Sequence, residues 1–369
     1  MITRSRQVAL ALTVLLAAGA ACQNRGHEPP AHPAAAGTGG FTLVASGAVV
    51  PARAPADRAG SDAGGTGPGL RPMLAEIRPV VSGADLALCH LETADGADGD
   101  SEPARALAAT GYDGCSTASA HSLAGGADGI RRTLDALDRA GVRHAGSART
   151  EGEARTVTVL RAGAAQVAHL AYTQGTDSPP PPEQPWAVGL IDEGGILADA
   201  RAARRAGADV VVVSLHWGPE WRDRPDARQL ALARRLTAAR AGGGAAVDLI
   251  LGTRAHVPQA YEKVNGAWVV YGTGDQIAGE AVNQDGAVDP RGNQSTLGRF
   301  TFAPPARPGG RWRVTKAEFV PQLFDVDAGR VVNLNRALAR GADVRAVRDR
   351  IRDAVLGRGA AGDGLVMGR

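Results

Sequence analysis

Aromatic side chains make up only 4% of this 369-residue chain, lysine is nearly absent, and neither sign of charge dominates. So few aromatics leave no stacking platform for bases. The 41 basic and 38 acidic residues give a net charge of +3, and no Lys/Arg run of five occurs. A nucleic-acid partner is therefore not expected. The apolar run from Val8 to Ala18 is too short to be a membrane span with soluble flanks. What remains is ordinary globular usage, 44% apolar and 21% charged. Neither a disordered chain nor a collagen has that composition, even with 49 glycines and 22 prolines.

The first residues have the three-part build of an export signal. Arg4 and Arg6 form a basic start, an apolar stretch follows, and Gly19, Ala20 and Ala21 lead to Cys22. A cysteine after small residues suggests lipidation at Cys22, with plain secretion as the alternative. Residues 1–21 are thus read as a signal peptide and 22–40 as a flexible Pro/Ala/Gly-rich tether. The expected location is outside the cytoplasm, anchored to the membrane by lipid or at the cell surface. Cys89 and Cys115 end apolar runs. An oxidising compartment would let them pair, but we read them as two buried thiols.

From residue 41 onward apolar strands alternate with amphipathic helices, the pattern of an α/β protein with mixed sheets. Strands are expected at 41–46, 85–91, 209–214 and 247–251. Helices are expected at 70–81, 104–109, 130–140, 191–206 and 228–241. Gly141 and Gly207 stop two of them, and Asn265-Gly266 marks a hairpin. Residues from 326 onward read as a basic helical extension after a domain spanning 41–325.

Four strands run into loops bearing a histidine: His90-Leu91-Glu92, Ala120-His121-Ser122, His216-Trp217-Gly218, and Gly252 to His256. Ligands of α/β proteins gather beyond the carboxyl ends of strands. One histidine in such a place is ordinary. Four at equivalent positions point to a shared site of imidazole and carboxylate, the donors a divalent metal takes.

These stretches, in this order, resemble the CapA family, named for poly-γ-glutamate capsule synthesis. The resemblance runs through Gly83-Ala-Asp-Leu-Ala-Leu-Cys-His-Leu-Glu-Thr93, Ala118-Ser-Ala-His-Ser122 and the Thr133–Gly141 helix. It continues through His216-Trp-Gly-Pro-Glu-Trp221, Gln229, Ala255-His-Val257, Glu262–Gly266 and Tyr271-Gly-Thr-Gly-Asp275. It covers about residues 41 to 280 and implies a metallophosphatase-like layered αββα sandwich of two mixed sheets. It also implies a metal site drawn from Glu92, His121, His216 and His256, with His90, Arg254 and Asp275 lining the pocket.

The departures are as informative. The first strand ends Ser46-Gly47-Ala48, where the resemblance implies Gly-Asp, and we take Gly47 as the position lacking a carboxylate. Ala120 stands for an expected Asn, Arg254 for an expected His, and Asp275 for an expected Asn. Two-metal clamping of a phosphoester would lose much of its first shell, and the charge of Arg254 opposes cations. Two expectations follow. One is an enzyme using a single divalent metal (Mn, Fe or Zn). The other is a degenerate protein that binds an anionic polymer or small anionic ligand without hydrolysing it.

Overall fold

The computed structural model describes residues 39–50, 69–92, 102–278, 281–307 and 310–369. The signal segment, Cys22 and nearly all of the tether lie outside the described residues. In chain order the elements begin β1 (Phe41–Val49), α1 (Leu70–Met73), α2 (Arg78–Val81), β2 (Leu86–Leu91), α3 (Glu102–Thr110), β3 (Gly114–Ser116), α4 (Gly126–Ala140) and β4 (Arg143–Ala145). Next come α5 (Glu151–Ala154), β5 (Thr158–Ala162), β6 (Ala165–Thr173), α6 (Glu193–Arg205), β7 (Val210–His216) and α7 (Ala227–Ala238). A small ribbon of β8 (Arg240–Ala241) and β9 (Gly244–Ala245) leads to β10 (Leu249–Thr253), β11 (Tyr261–Val264), β12 (Ala267–Val270) and β13 (Asp275–Ile277). The chain closes with β14 (Gln294–Ala303), β15 (Arg313–Asp325), β16 (Arg330–Asn333), α8 (Leu334–Ala339), α9 (Arg345–Leu356) and β17 (Leu365–Met367).

Two mixed sheets result, each with a parallel centre. One has the order β16-β15-β14-β1-β2-β3-β4, with β13 beside β1 and β17 beside β15; the other has β11-β12-β10-β7-β6-β5. They pack face to face. Leu43, Leu86 and Leu88 of the first sheet share a buried cluster with Val167, Val210 and Val212 of the second. Helices α1 to α4 cover the outer face of the first sheet, and α6 and α7 that of the second. This is the layered sandwich the resemblance implied. β7 is buried at every position, because a strand between two covered faces meets water on neither.

Local rules explain most element ends. Gly141 takes a left-handed φ of 77° and closes α4. Asp226 and Gln229 cap each other at the start of α7. Asn265 and Gly266 both have positive φ, the twist that joins β11 tightly to β12. The helix expected over 70–81 is two short helices. Pro79 stands in the first turn of the second, where its missing N–H costs nothing.

Two readings change. Cys89 and Cys115 are not separate thiols. They stand opposite each other on β2 and β3 and form a disulfide, with Cα atoms 4.4 Å apart. The C-terminal tail is helical over α8 and α9, and it also returns β16 and β17 to the first sheet. Ile351, Val355 and Leu365 of the tail join the cluster between the sheets, so the tail seals the core.

Candidate metal centre

The carboxyl ends of β2 and β7 meet across the two sheets. His90 is the penultimate residue of β2, Glu92 follows that strand, and His216 ends β7. The rings of His90 and His216 stack with centroids 5.2 Å apart. Glu92 lies between them: its Oε1 is 3.4 Å from His216 Nε2 and 3.9 Å from His90 Nε2. One ligand atom from each of the three falls within 4.8 Å of the others, and all three residues are buried.

Neighbouring strands orient both imidazoles. His90 Nδ1 is 2.6 Å from Ser116 Oγ, and His216 Nδ1 is 3.1 Å from Thr173 Oγ1. In each case the partner is the residue in register on the adjacent strand. With Nδ1 engaged, each ring turns Nε2 toward Glu92, the arrangement that prepares a histidine for a metal. The Glu92 backbone is pinned as well, its N–H donating to Val49 O and its carbonyl accepting from Ser119 Oγ.

Burial, and after it the neighbouring His216, lowers the His90 pKa to about 3. Burial also lowers that of His216. Both rings are therefore neutral near pH 7 and carry free lone pairs. Burial pushes the Glu92 carboxyl up, and His216 and then His90 pull it below its usual range only while they carry a proton, which near pH 7 they do not. His90 Nε2 and Glu92 Oε1 are buried with no hydrogen-bond partner. Orphaned buried polar atoms are costly. Two neutral imidazoles and one carboxylate with unpaired atoms converging fit a divalent cation of the Mn, Fe or Zn kind.

The other expected residues surround this group. His121, in the loop after β3, brings Nε2 to 3.6 Å from Glu92 Oε2. Its Nδ1 is 2.5 Å from Asp177 Oδ2, and its side chain is 39% exposed, which places it on the solvent rim. His256 is buried, bonded through Nδ1 to Asp275 at 2.8 Å, and faces Trp221 at 5.3 Å between ring centroids. It is near enough to act electrostatically on His90, Glu92 and His216. The guanidinium of Arg254 turns to Gly218 O and Glu220, both at 3.1 Å, and its charge reaches His216.

One position is reassigned. A Cβ at Gly47 would lie 2.4 Å from the carbonyl oxygen of Gly274, so no side chain fits there. Ala48 is fully buried and stands in register with both His90 and Asp275. Register partners on parallel strands project to the same face. The missing carboxylate therefore belongs at Ala48. Ser116, Thr173, Asp177 and Trp221 were not singled out by role in the sequence. Ser116 and Thr173 had a signal, since each is a hydroxyl at a strand end beside a histidine-bearing strand.

Residues 42–280 match the family described as bacterial capsule synthesis protein PGA_cap. The chain belongs to that family. It is similar to the capsule biosynthesis protein CapA of Bacillus anthracis, 25% identical over 180 residues, which are 48% of this chain and 42% of that one. It is also similar to a probable polyglutamine synthesis accessory protein of Mycobacterium tuberculosis, 28% identical over 219 residues, covering 52% of this chain and 55% of that one. The chain thus spans about half the length of the curated relatives it matches. Among solved structures, a 5'-nucleotidase precursor from Thermus thermophilus superposes with a TM-score of 0.48 at 15% identity, covering 84% of this chain and 59% of that one. A calcineurin-like phosphoesterase from Bacillus subtilis superposes with a TM-score of 0.45 at 15% identity, covering 85% of this chain and 99% of that one.

Proposed function

We propose that this PGA_cap-family protein is exported and lipid-anchored through Cys22, and that it binds an anionic ligand of the capsule-polymer kind at a one-cation centre. The observation that carries the reading is the pair of buried, unpartnered atoms His90 Nε2 and Glu92 Oε1, facing His216 Nε2. A divalent cation held by these three residues would supply Lewis-acid charge toward a carboxylate or phosphate group. Ser116 and Thr173 keep the two rings in the required orientation. His121, steered by Asp177, stands on the rim where it can donate a hydrogen bond to a bound anion. Ala48 contributes no carboxylate, and the charge of Arg254 acts on His216, so among the described residues no second group for a cation stands beside the first. Binding without two-metal hydrolysis follows from that donor set.

Among the described residues no helix is long and apolar enough to cross a membrane. Hydrolysis with a single cation is the second reading. The His121–Asp177 pair favours it, because it places a proton carrier 3.6 Å from Glu92. Metal analysis and a phosphodiester assay separate the readings. We expect about one Mn, Fe or Zn per chain by mass spectrometry, lost in His216→Ala, and negligible turnover of bis-p-nitrophenyl phosphate. Robust turnover that His216→Ala abolishes would establish the second reading. Failure of the wild type to retain any of the three metals would sink both.

A further inference from the structure

The Cys89–Cys115 disulfide adjoins the metal centre without supplying an atom to it. β2 and β3 pair over three registered positions: Leu88 with Gly114, Cys89 with Cys115, and His90 with Ser116. The disulfide is thus the rung directly before the pair in which Ser116 Oγ lies 2.6 Å from His90 Nδ1. Successive side chains of a strand point to opposite faces. Cys89 and Cys115 accordingly join the buried cluster on the outer, helix-covered face, while His90 points to the centre with Ser116 against it.

β3 is short for the task it has. It has three residues, and its other neighbour, β4, has three as well. A side-chain contact is no longer a hydrogen bond at about 3.6 Å. A slip of about 1 Å between β2 and β3 would therefore release His90 Nδ1 from Ser116. The imidazole would then be free to turn about its Cβ–Cγ bond. Its Nε2 would lose its direction toward Glu92 Oε1, 3.9 Å away. A covalent bond one residue before the contact prevents that slip. Both sulfurs are buried, with Cys89 at 4% and Cys115 at 0% exposure, so the bond is a fixed clip and not a switch.

We propose that the Cys89–Cys115 disulfide is a positioning device for the metal centre. It clips β3 to β2 so that Ser116 Oγ stays on His90 Nδ1 and His90 Nε2 keeps its direction toward Glu92. A disulfide that only stabilised the fold would serve from many places in the chain, by restricting the unfolded state. This one closes on the register pair that adjoins a metal-ligand candidate and the hydroxyl that orients it. The inference rests on the reading above that His90, Glu92 and His216 hold one cation. It adds that the disulfide and Ser116 act on His90 as one unit.

The test is a double-mutant cycle in the full exported protein, read as manganese and zinc Kd by calorimetric titration well below the unfolding temperature. Alkylation and mass spectrometry should find no free thiol at Cys89 or Cys115; free thiols at both overturn the proposal. Ser116→Ala should raise Kd about 10- to 100-fold, the usual effect of losing the group that orients a histidine ligand. Cys89→Ala combined with Cys115→Ala should raise it about tenfold. Added to Ser116→Ala, the cysteine pair should raise it less than about twofold more, because residues acting through one contact do not add. Leu134→Ala, which opens a cavity in the same outer cluster, should lower the melting temperature in EDTA and leave Kd unaltered. If the double cysteine variant does not fold, Cys115→Ala alone takes its place in the cycle. The proposal is overturned if cysteine replacement leaves Kd unaltered, if its effect adds fully to that of Ser116→Ala, or if Leu134→Ala raises Kd equally. Should the wild type bind neither metal, the reading of the centre fails, and the clip is judged without metal by proton–nitrogen correlation spectra of the imidazoles. His90 should then carry its proton on Nδ1 in the wild type and lose that preference in the cysteine variant; an unchanged tautomer refutes the clip.

Discussion

Glu92→Gln should move stability and metal affinity in opposite directions. Glu92 is 3% exposed, its Oε1 has no partner, and the two histidines nearest it are neutral. Without a cation this is a buried charge whose desolvation is poorly offset. Gln keeps the shape and removes the charge, and its amide can donate to one of the free imidazole lone pairs. The metal-free variant should therefore be more stable by about 1–2 kcal/mol. In a domain of this size that is a rise of about 1.5–3 °C in melting temperature. Losing the one anionic ligand should weaken metal binding by about 100-fold. At a metal concentration about 100 times the wild-type Kd, the wild type gains about 2.7 kcal/mol and the variant about 0.4. Thermal unfolding in EDTA and then in manganese or zinc measures all four states. A variant that is less stable in EDTA and keeps the full metal-induced shift would refute the reasoning.

Other outcomes follow from the same geometry. Ala48→Asp should lower stability in EDTA, because it buries a carboxylate beside Asp275, and should enlarge the metal-induced shift; with Ala120→Asn and Arg254→His it should raise metal affinity more than any single change. Gly47→Asp should fail to accumulate as folded protein, since its Cβ would meet the Gly274 carbonyl, and soluble yield checks this. Burial lowers the His169 pKa to about 4, against 6.5 unfolded, so its neutral form is the one the fold accepts. The unfolded chain then binds the proton first. Stability should be flat above pH 6.5 and fall by roughly 3 kcal/mol toward pH 4, a slope that His169→Gln should reduce in denaturant titrations. Cys22→Ala should move the protein from the membrane fraction to the medium, and unchanged fractionation would remove the lipid anchor.

The alternation of apolar strands and helices was legible from residue 41 to Val270 because each element carries its own period and its own stop. Beyond that point the pattern blurs. β15 contains Pro321, which argues against a strand. In the fold Pro321 falls between the stretches where β17 and β16 pair with β15, so its missing N–H leaves no ladder bond unmade on that side. β17 is three residues long and parallel to β15, a pairing that only tertiary structure brings about. The disulfide was hidden for the same reason. Cys89 and Cys115 are 26 residues apart, and nothing local says that β2 and β3 are neighbours in register.

The site was legible by residue type and less so by geometry. The loop after β10 shows why. Arg254 and His256 both have positive φ, 88° and 59°, unfavourable for residues with a Cβ. Such backbone costs of order 1–3 kcal/mol per residue and persists only where the surroundings hold it. Here they do. Gly218 and Glu220 hold the Arg254 side chain, while Asp275 and Trp221 hold the His256 ring. No local propensity favours this loop, so its shape depends on contacts with β13 and with the loop after β7. Sequence spacing alone would put every second side chain of a strand on one face and carry Arg254 and His256 along together. The kink separates them, directing Arg254 to the Gly218–Glu220 loop and His256 to Asp275. A loop kept strained on both sides of Ala255, beside a buried His/Glu/His group, is better explained by a need to hold His256 against Asp275 than by any demand of the fold.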